Sequence, residues 1–178
     1  MQQLQDVLQN TLPNLSPRVR VAFAGGCARR VFDILLVTNL IPPDLPGQAL
    51  VILTKYVVDG EFSADEFNHV KDNLGQLIDE AQEQYDDEVY YAMRTIYEAF
   101  LCVEQPLMEV VEGVPLELIA TASYALPEDA KTAENEEIEW ILTALEFAEM
   151  QSDDLIRADM FDNLGALPPR WLLQWEIR

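Results

Sequence analysis

Helical apolar spacing, interrupted repeatedly by capping residues and prolines, is the feature that most restricts the fold of this chain. Ser16-Pro17 pairs a capping hydroxyl with a proline at the first helical turn. The apolar run through Val19, Val21, Phe23, Val31, Phe32, Leu35 and Leu36 then continues to Pro42-Pro43. A second helix is expected from about Pro46 to Val58, closing at Asp59-Gly60. Ser63-Ala-Asp-Glu66 is a capping box, and Phe67, Val70, Leu74, Leu77, Ile78 and Ala81 follow it at helical spacing. Asp86 to Val103 repeats the pattern through Val89, Met93, Ile96 and Phe100. A shorter helix is expected from Pro115 to Leu126, closed by Pro127. Thr132 to Met150 uses Ile138, Ile141, Leu142, Leu145 and Ala148, and a weaker pattern spans Gln2 to Leu12. The expectation is an all-α chain, one helical domain over residues 1–178. Its helices, about six to seven, would form a bundle or stacked helical hairpins.

Two segments fit this scheme less well. Ala49 to Val58 is β-branched enough for a strand, although an isolated strand would lack a partner. Arg170 to Arg178 alternates, with Trp171, Leu173, Trp175 and Ile177 on one side, and reads as a strand or extended arm after Pro168-Pro169. Residues 163–178 are therefore a candidate docking tail. Gly25-Gly26 falls inside a helix, where each glycine costs roughly 1 kcal/mol relative to alanine. A close helix crossing is the favoured compensation, ahead of a hinge or ligand cleft.

Charge narrows the function classes. The 178 residues carry a formal net charge of −21 with 49% hydrophobic residues, so the acidity is not that of a disordered tail. Residues 1–58 hold five basic and three acidic side chains, whereas residues 59–159 hold four basic and 27 acidic ones. The excess is thus local. It argues against nucleic acid and anionic membrane as partners, and leaves a basic protein or plain solubility. Cys27 and Cys102 sit in apolar surroundings with no CxxC spacing, which suits buried, reduced thiols. The start, Met1-Gln-Gln-Leu-Gln-Asp6, lacks signal-peptide character, and no apolar run is long enough to span a bilayer. A soluble, cytoplasmic protein is expected.

No residue pattern argues for an enzyme. Glu66-Phe-Asn-His69 has the Glu-x-x-His spacing of di-iron bundles, but such sites need the motif twice and this chain has one histidine. There is no GxSxG elbow and no glycine-rich phosphate loop. The expectation is no catalytic residue, no metal and no cofactor.

The carboxylates show a period of their own. Asp65, Asp72, Asp79 and Asp86 recur every seven residues, with Glu83 on the same face. Glu139, Glu146 and Asp153 repeat that spacing. Seven residues make two helical turns, so each set would line one ridge. Such ridges are usually solvated faces, yet here only Lys71, Arg94, Lys131 and Arg157 accompany 27 acids, whereas solubilising faces usually mix both signs. Asp87, Tyr90 and Tyr91 add aromatic residues to the densest charge cluster. Tyrosine is enriched at binding hot spots, and carboxylates steer association with cationic partners. These eleven residues are the candidate partner-binding set.

Three stretches resemble all-helical immunity proteins of bacterial polymorphic toxin systems. They are Phe23-Ala-Gly-Gly-Cys-Ala-Arg-Arg-Val-Phe32, the segment Pro43-Asp-Leu-Pro-Gly-Gln-Ala-Leu-Val-Ile52 continuing to Val58-Asp-Gly-Glu-Phe62, and Ile119-Ala-Thr-Ala-Ser-Tyr-Ala125. The resemblance covers roughly residues 20–125, and departs from the family at Val51-Ile-Leu-Thr54 and in the acidic C-terminal third. It implies a cytoplasmic protein that neutralises a cognate toxin by stoichiometric binding, without catalytic residues. The acidic ridges would then face a basic toxin domain. The alternative is a helical adaptor or chaperone of a secretion or signalling assembly, with the Trp171–Trp175 tail as its docking element. The sequence sets no oligomeric state.

Overall fold

A computed structural model describes residues 2–38, 44–84, 87–157, 160, 161, 164, 169, 171 and 172. Among these residues seven α-helices run in chain order: α1 Gln2–Thr11, α2 Pro17–Thr38, α3 Asp44–Asp59, α4 Ala64–Gln84, α5 Asp87–Leu101, α6 Met108–Ala125 and α7 Ala130–Glu149. Short 3₁₀ turns at Leu12–Asn14 and Pro127–Asp129 link α1 to α2 and α6 to α7. No strand occurs among the described residues, and the architecture is the expected all-α bundle.

The starts and stops have local causes. Ser16 Oγ accepts from Val19 N at 3.2 Å, and Ser63 Oγ accepts from Glu66 N at 3.4 Å, so both expected caps form. At the end of α3, Gly60 adopts φ +77° and its N–H returns to Tyr56 O at 2.8 Å. The Arg18 guanidinium donates to Val57 O at 2.6 Å and Val58 O at 2.7 Å, so a cation from α2 satisfies carbonyls that the end of α3 leaves open. Arg20 likewise donates to Leu12 O, Pro13 O and Pro106 O, tying the α1–α2 and α5–α6 connections together.

The expected second helix forms despite its β-branched residues, and one helix boundary changes. Ala49–Val58 is helical, because Pro46, Ala49, Leu53 and Val57 share one buried face and Val51 and Val58 turn to solvent. Burial of that stripe outweighs the β preference of the individual residues. The sixth helix begins at Met108, seven residues before Pro115, which lies inside it. Val111 N bonds Leu107 O at 3.1 Å in the first turn, and Pro115 is buried. The break falls instead around Pro106, after α5.

α2 and α5 form the centre: α2 packs on α3, α5, α6 and α7, and α5 on α2, α3, α4 and α6. This explains why α2 is buried on most of its surface, from Val19 through Phe23, Cys27, Val31 and Ile34. α4 packs chiefly on α3 and α5, where Phe67 stacks on Phe100 with ring centroids 4.4 Å apart. α7 lies against α6, α1 and α2. The two glycines of α2 serve close packing. A Cβ on Gly25 would run into Leu53 of α3, and one on Gly26 would come within 2.9 Å of Phe161 Cβ.

The C-terminal segment contributes to the core where it is described. Phe161, Trp171 and Leu172 are buried, and Trp171 is only 1% exposed. Trp171 and Leu172 have helical rather than strand backbone, with Leu172 N bonded to Pro169 O at 3.1 Å. Residues 173–178, including Trp175, lie outside the described residues.

Candidate interaction surface

The first acidic ridge survives folding on one continuous helix. Asp65, Asp72, Asp79 and Glu83 are all exposed on α4, opposite the buried Phe67, Val70, Leu74 and Ala81. Asp86 lies outside the described residues. Asp87 is exposed at the start of α5, on a helix separate from the ridge.

The second ridge is shorter than its spacing implies. Glu139 and Glu146 are exposed on α7, but that helix ends at Glu149 and Asp153 lies in the turn beyond it. There Asp153 accepts a hydrogen bond from Ser16 Oγ, the hydroxyl that caps α2. A sevenfold spacing aligns side chains only while the helix continues. The two ridges also lie on different outer helices, α4 beside α3 and α5, α7 beside α6, α1 and α2.

Five of the cations are engaged elsewhere. Arg18 and Arg20 serve backbone carbonyls, Arg30 binds the buried Glu137, and Arg94 bridges Glu98 and Glu117 at 2.8 Å each. Lys71, on α4 itself, reaches Glu104 at 3.2 Å. None of Asp65, Asp72, Asp79, Glu83, Glu139 or Glu146 is salt-bridged to a basic side chain among the described residues. Their charge is therefore not neutralised by a contact ion pair among the described residues.

Tyr90 and Tyr91 are half-buried at the outer edge of α5. Their rings meet edge to face at 5.2 Å, and Tyr91 stacks on Tyr124 of α6 at 4.9 Å with an 11° interplanar angle. Burial pushes the Tyr91 hydroxyl pKa up, and Tyr124, Glu117 and Asp87 push it in the same direction. Tyr124 is 45% exposed and extends the aromatic patch onto α6. It lies 33 residues beyond Tyr91 in the chain, so no local spacing signals the pairing. Close by, burial raises the Glu117 carboxyl pKa, opposed by Arg94 and reinforced by Glu98.

Glu66 and His69 both face a groove between α3 and α4. Asn73 Nδ2 donates to His69 O at 2.6 Å and lies 3.4 Å from His69 Nδ1. Among the described residues no three His, Cys, Asp or Glu side chains converge as a metal site. Burial pushes both thiols up, Cys102 to about 12, which favours the protonated form. No helix among the described residues is long and apolar enough to cross a membrane. Comparison with known proteins finds no matching family model, no matching characterised protein and no matching solved structure.

Proposed function

We propose that this chain is a cytoplasmic, non-catalytic binding protein that covers a basic protein partner with the carboxylate face of α4, in the manner of an immunity protein neutralising a toxin. The observation that carries the reading is that Asp65, Asp72, Asp79 and Glu83 stand exposed on one helix while no cation among the described residues is ion-paired with them. Lysines and arginines that a toxin uses to hold phosphates would meet these carboxylates, and the field would accelerate encounter. The tyrosine patch at the edge of α5 and α6 offers amphipathic area that holds a partner once it has docked. Glu139 and Glu146 on α7 form a separate acidic face and are not needed for this contact.

The test is capture of partner from native lysate at low salt by the wild type and by the Asp65→Lys/Asp72→Lys/Asp79→Lys variant. A basic protein retained by the wild type, released as salt rises and lost in the reversal supports the reading. The captured protein should be toxic when expressed alone and harmless beside the wild-type chain. Equal capture by the triple reversal would show that α4 is not the contact.

A further inference from the structure

α3 and α4 flank an open groove of about 710 Å³, large enough for several side chains. Its wall includes Val51, which is 67% exposed, together with Ile52 and Val70. Val51 has no role in the core: the buried stripe of α3 runs through Ala49, Leu53 and Val57. Two carboxylates line the same groove, Asp44 from the first turn of α3 and Glu66 from the first turn of α4. Acids in first turns stabilise their own helices, which accounts for their presence but not for an exposed valine between them. His69 completes the wall, and on α4 it stands one turn from both Asp65 and Asp72. The groove is thus continuous with the acidic ridge.

We propose that this groove seats a cationic amphipathic segment of the partner, an apolar side chain entering against Val51, Ile52 and Val70 while flanking lysines or arginines meet Asp44 and Glu66. The proposal rests on the basic-partner reading and gives it an address. Charge selects the occupant. A second copy of this chain would bring another −21 against the same acidic rim, and an anionic lipid surface or nucleic acid meets the same repulsion. An uncharged apolar segment would fill the floor and leave Asp44 and Glu66 facing it without a partner. A segment carrying both features satisfies floor and rim together. The side chain of Gln48, exposed on the α3 side, supplies an amide for the segment's backbone.

The experiment uses two fluorescent dodecapeptides of equal positive charge, one of lysine and leucine with the leucines at helical spacing, the other with serine in place of leucine. Anisotropy is read against the whole chain at about 150 mM salt, where exposed long-range charge effects are damped. The leucine peptide should bind at least about tenfold more tightly than the serine peptide, the scale of one buried apolar side chain. Val51→Asn and Asp44→Asn/Glu66→Gln should each weaken it about fivefold or more, and Glu139→Gln/Glu146→Gln, on the separate α7 face, less than twofold. All these side chains are at least partly exposed, and circular dichroism confirms that each variant keeps its helices. Equal binding of the two peptides, unaffected by Val51→Asn and by Asp44→Asn/Glu66→Gln, overturns the groove while leaving the basic-partner reading standing. Failure of both peptides also overturns the groove, and the lysate capture then decides the broader reading independently. Tighter peptide binding by Leu40→Ser/Ile41→Ser would assign the groove to the chain's own neighbouring segment, and would likewise overturn the proposal.

Discussion

Arg30 and Glu137, 107 residues apart, form a bidentate ion pair in the core: Nε donates to Oε2 at 2.7 Å and Nη2 to Oε1 at 2.8 Å. Both side chains are essentially inaccessible, at 2% and 0%. The pair joins central α2 to outer α7, and Trp171 Nε1–H donates to the same Glu137 at 2.7 Å. The guanidinium also lies 4.5 Å from the ring centroid of Trp140, whose own N–H reaches Leu164 O at 2.6 Å. One buried carboxylate therefore holds two helices and the C-terminal segment in register.

Removing half of that pair should be costly. Arg30→Met leaves the Glu137 charge buried without its cation, and unfolding in urea should show a loss of about 3–5 kcal/mol. Adding Glu137→Gln to Arg30→Met removes the charge and keeps an acceptor for Trp171. The double variant should be more stable than Arg30→Met alone. If the two losses simply add, the pair is not coupled and the register argument fails.

The glycines of α2 and α4 should respond to alanine with opposite signs. At Gly26 the new methyl would meet Phe161 Cβ, an atom close to its backbone that cannot swing aside. Overpacking of about 1–3 kcal/mol then exceeds the roughly 1 kcal/mol gained in helix propensity. At Gly75 the nearest atom is Tyr97 Oη at 3.8 Å, an ordinary contact. Gly75→Ala should stabilise by about 0.5–1 kcal/mol. Thermal midpoints of the two variants should move in opposite directions, and stabilisation by Gly26→Ala would contradict the close approach of residue 161.

Local signals were legible where the cause is local. Ser16, Ser63 and Gly60 mark helix ends through contacts within four residues, so spacing alone locates α2, α3 and α4. The α4 ridge is legible for the same reason, since an unbroken helix turns spacing into alignment. Asp153 shows the limit, because helix α7 stops four residues before it. Pro115 misleads because a proline is acceptable in a helix interior when its missing donor and ring are accommodated, which depends on tertiary packing. The Arg30–Glu137 pair has no sequence signature: nothing local separates Arg30 from Arg29 or Glu137 from Glu136. Trp171 reads as an alternating tail residue until that buried carboxylate is in place to receive its N–H.

Glu117 should impose a pH dependence of definite sign. Burial raises its folded-state pKa above the ordinary 4.5, against the opposing pull of Arg94, so between those values the folded chain holds more proton than the unfolded one. Stability then falls as pH rises through that window. Glu117→Gln lacks this component. Its unfolding free energy minus that of the wild type should increase as pH is raised above 4.5, then level off. A difference that falls with pH would mean that the Arg94 ion pair, at 2.8 Å, outweighs burial.

The two thiols should report global opening. Cys27 and Cys102 are both fully buried, and Cys102 Sγ donates to Glu98 O at 3.3 Å. Burial raises both pKa values, with Glu137 reinforcing the shift at Cys27 and Glu98 at Cys102. Near neutral pH the folded chain should therefore react with a disulfide reagent at least on the order of 10³-fold more slowly than the urea-unfolded chain, the factor set by the rarity of unfolding. The rate should rise with urea along the slope of global unfolding, in Cys27→Ala and Cys102→Ala alike. Above about pH 9, where unfolded thiols ionise and the buried ones do not, the unfolded state binds fewer protons and stability should decline. Rapid labelling of one thiol in the native chain would instead reveal a local opening at that helix, and comparing the two alanine variants identifies which.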